Sequence, residues 1–333
     1  MSYQRFQTPR LYADNINWLL SLGRIDTSST YMSQSGITSD TPAEMFDMKP
    51  SNLVTIGGNG ASTTHYITIN TNISTDANQD ANFVAILGHN FKTSDVKFQV
   101  QTDDASSFDS DGSFKTPTMT EVVNLDLGGT AYASPGENGW SLATFTQASD
   151  NQYIRIRLDP RAGNYDADIK IGCILIGEYF DFPHSPDLSI KKQLIFDGIQ
   201  TQQSIGGQTY GNASFINGAD WFLEPMRNST ETSANALQKS GRVQLDMDFS
   251  YMADTDVYPQ ELYDKTHFIG TNNLLNNVLQ RSSGGLHPFL FQYDKDTSNA
   301  EDSFLWCRLN NTPTFTQVAN RVWSTKIGIL EEF

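Results

Sequence analysis

Cysteine is nearly absent from this 333-residue chain: only Cys173 and Cys307 occur, which excludes a disulfide framework and suits synthesis in a reducing compartment. Each lies in an apolar, strand-like run (Ile171 to Ile176, Phe304 to Leu309) and reads as a small buried hydrophobe. Basic residues are scarce as well. With 22 Lys and Arg against 38 Asp and Glu, the formal net charge is −16, so the average surface repels phosphate backbones and anionic lipid headgroups. Neither nucleic acid nor membrane is an expected partner, and Lys191-Lys192 is too short a run to reverse that. No stretch approaches the ~20 apolar residues that span a bilayer. Trp18-Leu19-Leu20 is too short for the apolar core of a signal peptide, so export by the secretory route is not expected.

The residues that carry common chemistries are thinly spread. His65, His89, His184, His267 and His287 stand singly, without the H-E-x-x-H, H-x-x-x-H or C-x-x-C spacing of a zinc site. The G-x-S-x-G turn that presents a nucleophilic serine is missing. Gly57-Gly58-Asn59-Gly60 and Gly206-Gly207 precede no Lys-Ser/Thr pair and read as tight turns rather than phosphate cradles. Two acidic clusters offer oxygens to a hard cation: Asp103, Asp104, Asp109 and Asp111 before Gly112, and Asp294, Asp296 and Ser298. In the second, Leu305 stands where an EF-hand needs its bidentate glutamate, and solvated hairpin tips are the simpler reading of both. Paired carboxylates for glycoside hydrolysis need only approach within ~5–10 Å in space; Glu178, Asp181 and Glu224 are the candidates nearest to aromatic residues. No catalytic residue, cofactor or metal is expected.

What the chain does have is aromatic residues and strand patterning. Its 20 Phe, 13 Tyr and 5 Trp against 18% charged residues suit sheets dressed with polar loops. Apolar residues alternate in Val96-Lys97-Phe98-Gln99-Val100 and in Ile154-Arg155-Ile156-Arg157-Leu158, which predicts strands with one wet face. Phe83 to Leu87 and Ile169 to Ile176 are apolar almost throughout, which predicts strands covered on both faces. From Val243 to Tyr251 every odd position is apolar and every even one polar. Residues 271–281 place Leu274, Leu275, Val278 and Leu279 on one helical face before Gly284-Gly285.

The expected class is mainly β, two β-sandwich domains. Residues 1–50 form an N-terminal arm, with a short helix or anchoring segment over 9–22. A jelly-roll-like sandwich occupies 51–182, and Pro183 and Pro186 stiffen a linker at 183–187. A second sandwich with one short helix fills 188–333. Trp140, Tyr132, Tyr153 and Trp221 are the candidate platforms for a sugar ring, although strand aromatics more often fill cores.

The stretch Asn82-Phe83-Val84-Ala85-Ile86-Leu87-Gly88-His89-Asn90-Phe91, with Tyr153-Ile154-Arg155-Ile156-Arg157-Leu158 and Ile171-Gly172-Cys173-Ile174-Leu175-Ile176-Gly177-Glu178-Tyr179-Phe180 after it, resembles the discoidin or galactose-binding jelly roll over residues 50–182. Together with the opening Pro9-Arg10-Leu11-Tyr12-Ala13-Asp14-Asn15 and the closing Val322-Trp323-Ser324-Thr325-Lys326-Ile327-Gly328, the whole chain resembles tail and baseplate structural proteins of tailed bacteriophages, its second part being similar in element order to the ring-forming domain of distal tail proteins. That resemblance implies a virion protein made in the host cytoplasm. It implies a homohexameric ring between the tail tube and hub or fibre proteins, with a host surface glycan as a further partner. Alternating strands such as 243–251 suit edge-to-edge joining of subunits, and an acidic lumen lets DNA pass without sticking. A glycan-binding receptor-recognition protein of the virion is the alternative function.

Overall fold

A computed structural model describes residues 6–38, 40–72, 81–104, 106, 108, 114–127, 132–146, 152–195, 200–212, 241–259, 273–296 and 303–332. The fold is mainly β, as the patterning predicts. Strand β1 (Arg10–Asp14) leads directly into helix α1 (Asn15–Ser21), whose N-cap carboxylate, Asp14, accepts the Asn17 N–H at 2.7 Å. The first half continues through β2 (Met32–Gln34), β3 (Val54–Ile56), β4 (His65–Asn70), β5 (Phe83–His89), β6 (Val96–Asp103), β7 (Met119–Val123), β8 (Gly139–Phe145), β9 (Tyr153–Pro160), β10 (Ile169–Ile171) and β11 (Cys173–Asp181). The second half contains β12 (Lys191–Ile195), β13 (Gln200–Gln203), β14 (Thr209–Asn212), β15 (Arg242–Ala253), helix α2 (Asp254–Val257), a π-helix (Leu275–Gln280), β16 (Phe289–Gln292), β17 (Phe304–Leu309), β18 (Phe315–Ala319) and β19 (Val322–Glu331).

A four-stranded sheet, β2-β4-β9-β6, packs against part of an eleven-stranded sheet ordered β12-β15-β19-β17-β16-β1-β11-β5-β8-β7, with β18 beside β19. The first core lies between them: Ile67, Ile69, Ile154, Ile156, Leu158 and Phe98 from the smaller sheet meet Val84, Ile86, Ala143, Ile174 and Ile176 from the larger. These are the inward positions of the alternating strands, and the chain crosses between the sheets in the manner of a jelly roll.

Residues 9–22 are not a peripheral arm. β1 pairs with β11 on one side and β16 on the other, so the opening segment is the strand that sews both halves into one sheet. The expected segment 183–187 is docked rather than free-standing: the Asp187 N–H donates to the Asp248 carbonyl at 2.8 Å, and the Phe182 N–H donates to that of Pro9 at 3.1 Å. On one face of β11, Ile174 and Ile176 enter the first core, while Phe180, two residues past Glu178, enters the second with Phe182. On its other face, Cys173 and Leu175 join a third core with Tyr12, Phe83, Trp140, Leu290, Phe304 and Trp306. β8 and β17 stand five strand spacings apart, about 24 Å across a flat sheet. Yet the Trp140 and Phe304 rings lie 5.3 Å apart, so the sheet curls around this third core, which both halves build.

Glycine positions in the sequence motifs answer to backbone crowding. A Cβ on Gly172 would overlap the Pro50 carbonyl, and one on Gly177 would overlap that of Ala13. Gly88 turns the chain with φ +68°; the residues after it are tied in place. Asn90 donates from Nδ2 to the Asp168 carbonyl at 2.9 Å and accepts the Lys170 N–H at 2.8 Å.

The helix expected over 271–281 is shorter and wider than its spacing suggested. The Arg281 N–H reaches the Asn276 carbonyl, an i to i+5 bond. The wider turn rotates Leu275 and Leu279 toward the surface and buries Asn276 and Asn277. Positions 271 and 272 lie outside the described residues.

Candidate functional site

The outer face of the four-stranded sheet gathers polar and aromatic side chains. Alternation along β9 sends Tyr153, Arg155, Arg157 and Asp159 outward while their neighbours fill the core. Cross-strand register sets Arg157 between Tyr66 and Gln99, Arg155 between Thr68 and Gln101, and Asp159 beside Lys97. The Arg155 guanidinium is held between the rings of Tyr66 and Phe108, at 4.4 and 4.0 Å, and its Nε donates to Gln101 Oε1 at 2.8 Å. Arg157 Nε donates to Asp159 Oδ2 at 2.7 Å, and Thr64 Oγ1 donates to Asp159 Oδ1 at 2.6 Å. Lys97 Nζ and the Arg157 guanidinium both lie over the Tyr132 ring, at 4.9 and 5.9 Å.

Partial burial pushes the Asp159 carboxyl up, but donors from Arg157, Thr64 and Tyr132 outweigh it and hold the group below its ordinary range. The Tyr132 phenol is raised, first by burial and then by its bond to Asp159. The result is a layer of half-buried rings, Tyr66, Tyr132 and Tyr153, separated by planar hydrogen-bonding groups of both signs. Such a layer can stack on a flat apolar ring face and bond hydroxyl groups at its rim.

Of the four expected sugar platforms, Tyr132 and Tyr153 come to this face. Trp140 does not: at 1% exposure it fills the third core edge-on to Phe304, leaving no ring face for a ligand. Strand β8 sends that position into the third core, where Phe83, Phe304 and Trp306 surround it. Trp221 lies outside the described residues. Tyr66 belongs to the site and was not among the expected residues; its signal was position two of the alternating run His65 to Asn70, across from Arg157.

The candidate carboxylates separate. Glu178 and Asp181 are three residues apart on β11 and so point to opposite faces. Asp181 accepts both Arg10 Nε and Nη2, the latter at 2.9 Å, and Glu178 stands 3.7 Å from Arg281. Glu224 lies outside the described residues, as do Asp109, Asp111 and Ser298 of the two acidic clusters; among the described residues no group of three metal-ligating side chains assembles. His89 is fully buried. The Phe91 N–H points to its Nδ1 at 3.4 Å, so Nε2 carries the proton donated to Ser141 Oγ at 2.8 Å. Burial holds its pKa down to about 3.

A second surface lies at the far margin of the large sheet. β15, the strand with the cleanest alternation, is not an edge: β12 and β19 occupy its two sides. Among the described strands the sheet ends at β12, which is exposed at four of its five positions. Later in the chain β13 and β14 pair with each other as a two-stranded ribbon.

No family model matches the chain, and no curated protein matches it. Among solved structures it is similar to chitosan-binding module 1 derived from a chitosanase/glucanase of Paenibacillus sp. IK-5, at 16% identity over 44% of this chain and 93% of that one, with a TM-score of 0.31. It is also similar to the module CBM32-1 of a family 31 glycoside hydrolase from Clostridium perfringens, at 14% identity over 44% and 94%, with a TM-score of 0.29.

Proposed function

We propose that this chain is a structural component of a bacteriophage tail or baseplate, a non-catalytic protein that forms an oligomeric ring joining the tail tube to hub or host-recognition parts. The observation that carries the reading is the margin of the eleven-stranded sheet, where among the described strands β12 pairs with β15 alone. Natural monomers cover or blunt such an edge, and pairing with a neighbour removes it. The β1 seam favours the same role, because a sheet continuous through both halves transmits load without a hinge. Light scattering on the purified chain, followed by imaging, tests this: a mass that is a multiple of 37.1 kDa and closed rings are expected. A monomer at every concentration sinks the proposal.

A second reading, recognition of a host surface glycan, draws on the Tyr66, Tyr132 and Tyr153 face. It predicts glycan-array binding by the intact protein that falls about tenfold or more in Tyr132→Ala with an unchanged melting temperature, since stacked aromatics carry most of such an affinity. Equal binding by wild type and variant refutes it.

A further inference from the structure

The charge of the outer sheet face runs against that of the chain. Alternation sends Lys97, Arg155 and Arg157 outward against the carboxylates Asp103 and Asp159, in a chain whose formal net charge is −16. The acceptors on this face are already engaged. Asp159 receives Arg157 and Thr64, Gln101 Oε1 receives Nε and Nη2 of Arg155, and Gln99 Oε1 receives the Gln101 amide at 2.8 Å.

Donors are left over. Lys97 stands across from Asp159 in the β6–β9 register, yet among the described residues its ammonium forms no ion pair and meets the Tyr132 ring instead, at 4.9 Å. An ammonium carries three donors and no acceptor. Arg157, whose direct partner on β6 is Gln99, lies diagonally from Lys97, about 7–8 Å away on the same face. Its guanidinium is over the same ring at 5.9 Å. Nε and Nη2 go to Asp159, so among the described residues Nη1 keeps its donors, and the side chain is 31% exposed. Two cations at one ring repel each other, and an anion between them removes that repulsion. Tyrosine rings alone fit sugars of any charge; a face whose acceptors are engaged and whose spare groups are cationic donors selects a ligand that brings the acceptors.

We propose that this face binds an acidic sugar, a ring stacked on the tyrosines with its carboxylate or sulfate held between Lys97 Nζ and Arg157 Nη1. This rests on the glycan reading above and names its ligand class.

The test is an array of neutral, carboxylated and sulfated glycans probed with the full chain, with Lys97→Gln, and with Lys326→Gln on exposed β19 as a control, followed by titration calorimetry on the members bound. Wild type should bind acidic glycans about tenfold or more tighter than their neutral counterparts, and less tightly as salt is raised. Lys97→Gln should lose about tenfold on those same glycans, with a flatter salt dependence and an unchanged melting temperature, while Lys326→Gln should match wild type. Binding confined to the carboxylated or to the sulfated members supports the inference and says which anion the two cations take. Should neutral and acidic glycans bind equally, or Lys97→Gln bind as wild type does, the acidic-ligand inference falls while the glycan reading stands. Should no glycan on the array bind, both fall.

Discussion

Replacing Arg281 tests how the two halves are held together. Its guanidinium is almost fully buried at the junction of the first and second cores. It donates to Asn15 Oδ1 just after β1, stands 3.7 Å from Glu178 on β11, and lies 4.5 Å from the Trp18 ring of α1. Burial pushes its pKa down, and the nearby Glu178 and Asp14 charges oppose that. Removing one partner of a buried pair strands the other charge at a cost of about 3–5 kcal/mol, and loss of the cation over Trp18 adds about 1 kcal/mol. Arg281→Ala should therefore cost about 4–6 kcal/mol. At roughly 2 °C per kcal/mol for a chain of this size, the melting temperature falls by about 8–12 °C. The pair itself contributes little: its separation is long, and Nε of Arg281 meets no acceptor among the described residues. Arg281→Met combined with Glu178→Gln should accordingly recover most of the loss. Calorimetry with near-ultraviolet circular dichroism checks both. Arg281→Ala should also split the transition in two, because the π-helix is then released from β1 and β11. A single variant within 1 kcal/mol of wild type, or a double variant no better than Arg281→Ala, refutes the account.

Three further outcomes follow. His89 has its folded pKa lowered to about 3 against an ordinary value near 6.5, so the unfolded chain takes up the extra proton. Its contribution to stability is complete above pH 6.5 and is lost as pH falls toward 3, by about 2 kcal/mol at pH 5; in His89→Asn that part of the difference in melting temperature between pH 7.5 and pH 5 should vanish. Gly177→Ala forces a methyl group onto the Ala13 backbone, which cannot yield, and should cost about 3 kcal/mol or more by denaturant titration. Gly136→Ala, with nothing nearer than 3.6 Å, should change stability by less than about 0.5 kcal/mol.

How much of this was legible in the amino-acid order depends on the range of the forces involved. β15 was readable because its environment is uniform along its length: one face buried, one wet, so alternation records it position by position. The same regularity misled about its neighbours, since a period of two states which face is buried and says nothing of whether a strand is central or at an edge. Pairing decides that, and the pairing of β15 with β12 and β19 is set by segments far away in the chain. Arg10 to Asp14 failed to announce itself as a strand for a related reason. Leu11 and Ala13 enter one core and Tyr12 another, so no polar face remains to generate a pattern, and Asp14 at its end serves the helix cap instead. Trp140 shows the limit for the site: strand aromatics more often fill cores than serve as platforms, but no local run of residues says which this one does, and the curling of the sheet, which brings β17 over β8, buries it. Tyr66 and Tyr132 are the converse. They are 66 positions apart in order and share a face because Arg157 stands beside one and beneath the other, a relation carried by register rather than by any local run of residues.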